Sequence, residues 1–295
     1  MRWQRGRKSG NVIDARGSRP GRMSGGRMGG MPGGRGALPG GLGLVGVLVF
    51  VAIQLLGGGQ GFGVPTAFED GTTAPEEAQG IPAGQDPERD FFDFSSYVFD
   101  SAQTMWGRTL DGYRPAKMVV YRRGVDTGCG SASSSVGPFY CPADERVYID
   151  LSFYRDMQRE LQAAGDFAWA YVIAHEVGHH VQIVTGTSDE VRRLQQEEPG
   201  EANALSVRLE LQADCYAGVW AYSIFEAGDV EEGDLEEAIR ASEAVGDDRL
   251  QKRARGSVDP DSFTHGSSAQ RAKWFRTGQS AGEPAACDTF APDEV

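Results

Sequence analysis

The stretch DFAWAYVIAHEVGHHVQIVTG, residues 166–186, decides how the rest of the chain must be arranged. Phe167, Val172, Ile173, Val177, Val181 and Val184 spread apolar surface over several faces at helical spacing, with Asp166 placed to cap the start and Gly186 the stop. A helix apolar on several faces is expected to be buried. Inside it, His175-Glu176-Val177-Gly178-His179 reads H-E-x-x-H. At i and i+4 both imidazoles leave the same face, one turn apart, and can share one metal ion, expected to be Zn²⁺. Glu176 sits beside the first His, close enough to take a proton from a water at the metal without being a ligand itself. Short patterns of this kind also arise by chance, but three of the four His in the chain (His175, His179, His180) lie within this one helix, where unpaired imidazoles would be costly. His180 points about 100° off the metal face, which suits a supporting or structural role rather than ligation.

A metal held by two His needs a third ligand. Residues 202–227, ANALSVRLELQADCYAGVWAYSIFEA, form a second strongly helical apolar pattern, with Glu210 and Asp214 at i and i+4. Two acids in an apolar helix are expensive unless something satisfies them. A metal site does so, with Glu210 as third ligand and Asp214 accepting the outer N–H of a ligating His and fixing its tautomer. Arg208 and Gln212 are assigned to the exposed side of this helix.

The remaining elements are weaker signals. Residues 90–110 have aromatics at helical spacing, residues 117–123 and 146–150 read as strands, and a helix is expected over 152–164. An exposed sheet edge ahead of the metal helix would suit an extended peptide, although plain structural sheet explains these strands equally well. Residues 188–201 read as an acidic connection and 234–254 as a charged helical scaffold. In residues 262–279, His265 precedes an N-cap at Ser267 or Ser268 and a helix containing Arg271, Trp274 and Phe275. His265 is the candidate to stabilise the oxyanion of amide hydrolysis or to bond Glu210 or substrate, with ordinary capping as the alternative, and Tyr216 is a further candidate for the oxyanion. Cys129, Cys141, Cys215 and Cys287 allow three pairings, of which Cys129–Cys141 and Cys215–Cys287 is favoured; there is no C-x-x-C spacing for a zinc ribbon.

Charge divides the chain in two. Residues 1–36 hold nine Lys/Arg against the single acid Asp14, while the remainder carries 20 basic and 41 acidic residues. An acidic body argues against a nucleic-acid partner. No charge lies between Arg35 and Glu69, and ALPGGLGLVGVLVFVAIQLL, residues 37–56, is long enough to cross a bilayer as a helix. Basic residues before it and acids after it predict a cytoplasmic N-terminus and an exported body, consistent with disulfide formation. A cleaved signal peptide and a Gly/Arg-rich nucleic-acid arm are the competing readings of this region. The organisation expected is thus a disordered basic arm over 1–36, a transmembrane helix over 37–56, a flexible linker over 57–86 and one globular domain over 87–295.

H-E-V-G-H-H-V-Q (residues 175–182), L-E-L-Q-A-D-C-Y-A-G-V-W (209–220), H-G-S-S-A-Q-R (265–271) and the opening M-R-W-Q followed by R-x-S-x-N-V-x-D-x-R-G (7–17) together resemble the YpfJ-like neutral zinc metallopeptidases. The resemblance covers nearly the whole chain. It implies an α+β fold: a mainly helical zincin-like metallopeptidase domain with a small sheet, preceded by a single transmembrane helix. It also implies a Glu-type zincin in which His175, His179 and Glu210 bind zinc, Glu176 is the base and Asp214 supports a ligand. The interval from His179 to Glu210 is longer than in thermolysin-like enzymes. The function expected is hydrolysis of a peptide or protein substrate at a membrane; the alternative is a zinc-binding membrane scaffold that cleaves nothing.

Overall fold

A computed structural model of the chain describes residues 1–3, 9–18 and 80–291. The predicted transmembrane segment at 37–56, most of the basic arm and most of the linker lie outside the described residues. Among those described, no helix is long and apolar enough to cross a membrane.

In chain order the elements are β1 (Val12–Asp14), α1 (Arg89–Thr109), β2 (Lys117–Tyr121), β3 (Gly124–Thr127), β4 (Gly130–Ser133), β5 (Phe139–Cys141), β6 (Arg146–Asp150), α2 (Phe153–Arg159), α3 (Asp166–Val184), α4 (Thr187–Glu197), α5 (Ala202–Glu226), α6 (Asp234–Ala244), α7 (Asp247–Arg255) and α8 (Ser268–Ala281). The architecture is α+β and mainly helical. One sheet has the order β1-β2-β6-β5, parallel except for the β5–β6 pair, and β3–β4 is a separate hairpin. The favoured cysteine pairing is the one found: Cys129 in the β3–β4 turn joins Cys141 at the end of β5, and Cys215 in α5 joins Cys287.

Helix α3 is central. It packs against α1, α5 and α6 and meets the sheet through β5 and β6. Its Phe167, Trp169, Ile173, Val177 and Val181 are fully buried, and so are Trp106 of α1 and Trp220 of α5. The indole N–H groups do not go unpaired, because Trp169 donates to Ser95 Oγ and Trp220 to Ser101 Oγ, each at 2.9 Å. Glycines bring helices unusually close at the α3–α5 and α5–α8 contacts. A Cβ on Gly178, inside H-E-V-G-H, would lie 3.0 Å from the Ala213 carbonyl of α5, and one on Gly278 of α8 would lie 1.9 Å from the Cys215 carbonyl. The three helices α3, α5 and α8 are therefore locked together at backbone distance.

Several expectations change. Residues 188–201 are not a simple connection, because most of them form α4; the acids that made the stretch look loop-like pair within the helix, Arg193 with Glu190 and Glu197, both at 2.6 Å, while Val191 is buried. The charged stretch 234–254 is two helices broken at Val245 and Gly246, where Gly246 abuts the backbone of Ser268. Helix α2 stops at Arg159 because the Leu161 and Ala163 N–H groups turn back to the Asp156 and Met157 carbonyls.

The largest correction concerns the arm and linker. The disorder expected over 1–36 does not hold for the pieces described: β1 pairs in parallel with β2, with Val12 beside Met118, Ile13 beside Val119 and Asp14 beside Val120. Arg16 is buried and forks onto Asp14 at 2.8 Å and Asp86 at 2.6 Å. The linker likewise ends before 86, since Gly80 lies against the Asp14 side chain and the Asp86 side chain is wholly buried on Arg16. Open main-chain groups on β2 and a pair of carboxylates waiting for a cation give this polar segment a reason to fold that composition alone does not reveal.

Gly278 offers a test of the helix-locking contact. Gly278→Ala must push α8 off a carbonyl of α5, which is expected to cost about 3 kcal/mol, the upper end of ordinary overpacking. Urea unfolding of the two proteins measures it, and an unchanged midpoint would show that the helices separate freely.

Candidate metal centre

Three donor atoms converge between α3 and α5. Nε2 of His175 lies 3.3 Å from Oε2 of Glu210, and Nε2 of His179 lies 3.5 Å from Oε1 of the same carboxylate. One ligand atom from each of the three residues falls within 4.8 Å of the others, and all three residues are buried. Ligand bonds of about 2.0–2.2 Å in a tetrahedron place neighbouring donors roughly 3.3–3.5 Å apart, so this N, N, O set fits zinc.

Both ring orientations are fixed from behind. His175 Nδ1 donates to Asp214 Oδ1 at 2.9 Å, the role expected of Asp214. His179 Nδ1 donates to Gln182 Oε1 at 2.9 Å. In both rings Nε2 is then the nitrogen left for a metal. Gln182 is in turn held by its amide, which donates to the Leu209 carbonyl at 2.7 Å and to Gln212 Oε1 at 3.1 Å, and Gln212 donates to the Cys287 carbonyl at 3.1 Å. Gln212 thus faces the interior, not the exposed side. Arg208 bonds the Thr289 and Ala291 carbonyls, so both residues pin the C-terminal segment.

Asp214 is completely buried and fully satisfied. Arg271 from α8 donates Nε to Oδ2 at 2.8 Å and Nη2 to Oδ1 at 3.0 Å, and the Tyr171 hydroxyl also donates to Oδ1. Burial opposes its charge, but Arg271 and His175 hold its pKa below the ordinary carboxylate value. Burial likewise opposes charge on His175, yet Asp214 and Glu210 outweigh it and raise the ring to about 10. His179 lacks a carboxylate behind it, and burial takes it down to about 4 against the pull of Glu210. Glu176 is pushed up to about 7, chiefly by burial, against the opposing pull of charge on His175.

His175, Glu176, His179, Glu210 and Tyr171 line one small cavity of about 80 Å³, with Asp214 behind it and His265 and Arg271 also on its wall. His265 is therefore brought to the site. Its Nδ1 lies 3.3 Å from Asp247 Oδ1 and 2.9 Å from Thr264 Oγ1, while Ser267 forms the α8 capping box with Gln270, so His265 is not the cap. His180 is buried away from the cavity, donating Nε2–H to the Arg114 carbonyl at 2.7 Å and accepting from the Tyr140 hydroxyl at 2.9 Å. Its role is to tie α3 to β5. Tyr216 does not reach the cavity; it packs edge-on against Trp106, and Tyr171 stands at the site instead. Arg271 and Gln182 were missed as site residues. Arg271 shares a helical face with Trp274, Phe275 and Gly278, all buried, and Gln182 is three residues from His179 in an otherwise apolar run, so in each case a polar residue on a core face was the available signal.

Ligation needs neutral imidazoles. At pH 8 His175, raised to about 10, carries a proton that the metal must displace, whereas His179, held near 4, does not. Zinc binding at pH 8 is expected to release about one proton, read by calorimetry in buffers of different ionisation enthalpy, and Asp214→Asn should reduce that number. Gln182→Leu, which frees the His179 ring without touching a donor atom, should weaken zinc binding by about 10–100-fold in a chelator competition. Unaltered affinity would mean that His179 does not need its support.

With this geometry in view, the comparisons with known proteins are informative. The family described as "Putative neutral zinc metallopeptidase" matches residues 1–290. The uncharacterized protein YpfJ of Escherichia coli strain K12 is 46% identical over 297 residues, covering 98% of this chain and 99% of its own length. An uncharacterized protein of Mycobacterium tuberculosis strain H37Rv is 43% identical over 207 residues, 66% of this chain and 69% of its own. No solved structure matches the chain. On the strength of a match that runs from the N-terminal strand through the His-His-Glu cluster to the C-terminal segment, the chain belongs to the putative neutral zinc metallopeptidase family.

Proposed function

We propose that the protein is a zinc-dependent peptidase that hydrolyses peptide bonds in a peptide or protein substrate. The observation that carries this reading is the pairing of a three-donor set, His175, His179 and Glu210, with a second buried acid, Glu176, that shares their cavity but stands outside the set. A purely structural site has no use for such an acid, and three protein donors leave a position open for chemistry.

Zinc held by these donors would supply Lewis-acid polarisation of water and of the scissile carbonyl. The protein's own residues do the rest. Glu176, poised near neutrality, takes a proton from the attacking water and passes it to the departing amine. His265 can accept the Thr264 hydroxyl at Nδ1, 2.9 Å away, which puts its ring proton on Nε2 to donate to the oxygen on which negative charge develops. Asp214 and Arg271 hold the His175 ring still, so that no reorganisation is needed during the reaction. Pro138, immediately before the edge strand β5, lines the cavity, so main-chain groups of that edge border the place where an extended peptide would lie. The narrow cavity and its apolar rim of Phe153, Val172 and Val245 favour an apolar side chain next to the cut.

The reading includes a membrane setting: residues 37–56 contact the bilayer, and the two disulfides favour an exported body.

The decisive experiment is a broad peptide library incubated with purified full-length protein and with Glu176→Gln. Cleavage by the parent and loss of at least about 10³-fold in the variant, at equal zinc content, is expected for loss of the proton carrier. His265→Ala should lower kcat by about 10²–10³-fold with zinc retained. A parent that binds one zinc and cuts no peptide would leave a zinc-binding scaffold as the better description.

A further inference from the structure

The N-terminal segment bears on how the protein meets its membrane. Residues 9–18 are built into the zinc domain: Ser9 Oγ donates to Asp100 at 2.8 Å, the Met118 N–H to the Asn11 carbonyl at 2.9 Å, and the Ala15 N–H to the Val120 carbonyl at 2.8 Å. Residues 1–3 dock as well, with the Arg2 N–H on the Asp229 carbonyl at 2.7 Å and the Trp3 ring 5.5 Å from that of Phe94. The described chain stops at residue 18 and resumes at Gly80, which lies beside the N-terminal strand. A Cβ on Gly80 would lie 2.9 Å from Asp14 Oδ2, and Arg16 bridges Asp14 and Asp86 with its side chain fully buried.

A helix that crosses a bilayer once leaves its two ends about 30 Å apart, on opposite faces. Such a crossing between residues 18 and 80 would strip β1 from β2 and leave Asp86 buried without its cation. The positive-inside argument treated the basic arm as free, yet Arg16 is committed to Asp86 and Arg2 sits 3.7 Å from Glu231. We propose that residues 1–18 fold with the zinc domain as one unit and lie on the same side of the membrane as that domain. The inference rests on the bilayer contact included in the reading above, and it departs from the opposite-sided arrangement expected from charge alone. It also makes the N-terminal strand part of the folded domain rather than a separate cytoplasmic arm.

All four native cysteines are paired, so single reporters can be added to the full-length chain. Gly10 is exposed and a Cβ there meets nothing within 4 Å, and Ser280 is exposed on the body. Gly10→Cys and Ser280→Cys, expressed separately, are treated with a membrane-impermeant maleimide in spheroplasts and in inverted vesicles. Labelling of both from the same face is expected, and labelling from opposite faces overturns the proposal. Arg2→Cys and Asp111→Cys repeat the comparison at independent positions. Carbonate extraction of the parent membranes tests the bilayer contact separately: retention in the pellet is expected, and release into the supernatant removes the bilayer contact while leaving the peptidase assay untouched.

Discussion

A fully buried carboxylate is among the least tolerable groups a protein can contain, and the arrangement of this domain follows from how Asp214 is made tolerable. Its two oxygens take a guanidinium from α8, an imidazole N–H from α3 and a phenol from the same α3 helix. Each partner must come from a helix that passes within side-chain reach of α5, and the small residues at Gly178, Ala213 and Gly278 allow that approach. Removing any one partner would leave the carboxylate or the guanidinium exposed to a low dielectric, where a broken pair costs far more than an intact one gains.

The local balance of charge points the same way. Glu176, Glu210 and Asp214 bring three carboxylates into one buried region against the single guanidinium of Arg271. When all are ionised the region lacks two positive charges, the amount a divalent ion carries. The proton that Asp214 and Glu210 draw onto His175 offsets part of that imbalance.

Much of this was legible in the residues alone. The H-E-x-x-H face, the Glu210/Asp214 pair and the cysteine pairing depend on short-range periodicity or on counting, and each lies where it was expected. Arg271, Gln182 and the place of Asp247 behind His265 were not, because their meaning comes from neighbours 18 or more places away or from a core face that a single polar residue marks only weakly. The N-terminal strand was hidden for a different reason. Three residues of parallel strand in an Arg/Gly-rich region carry no periodicity, and only the open edge of β2 and the acids at Asp14 and Asp86 explain why they fold. Helix α4 was obscured by its own ion pairs, which composition records as polarity and structure records as i, i+3 and i, i+4 contacts.

The path from His179 through Gln182 and Gln212 ends on the carbonyl of Cys287, a residue fastened to α5 by a disulfide. Ribosomal synthesis makes His179 long before Cys287. Until the later residue is in place the Gln212 amide lacks its outer anchor, and the orientation of the second imidazole is unsupported. The geometry that suits a metal is therefore a property of the finished chain, acquired late, after the strand and helices around it have been made.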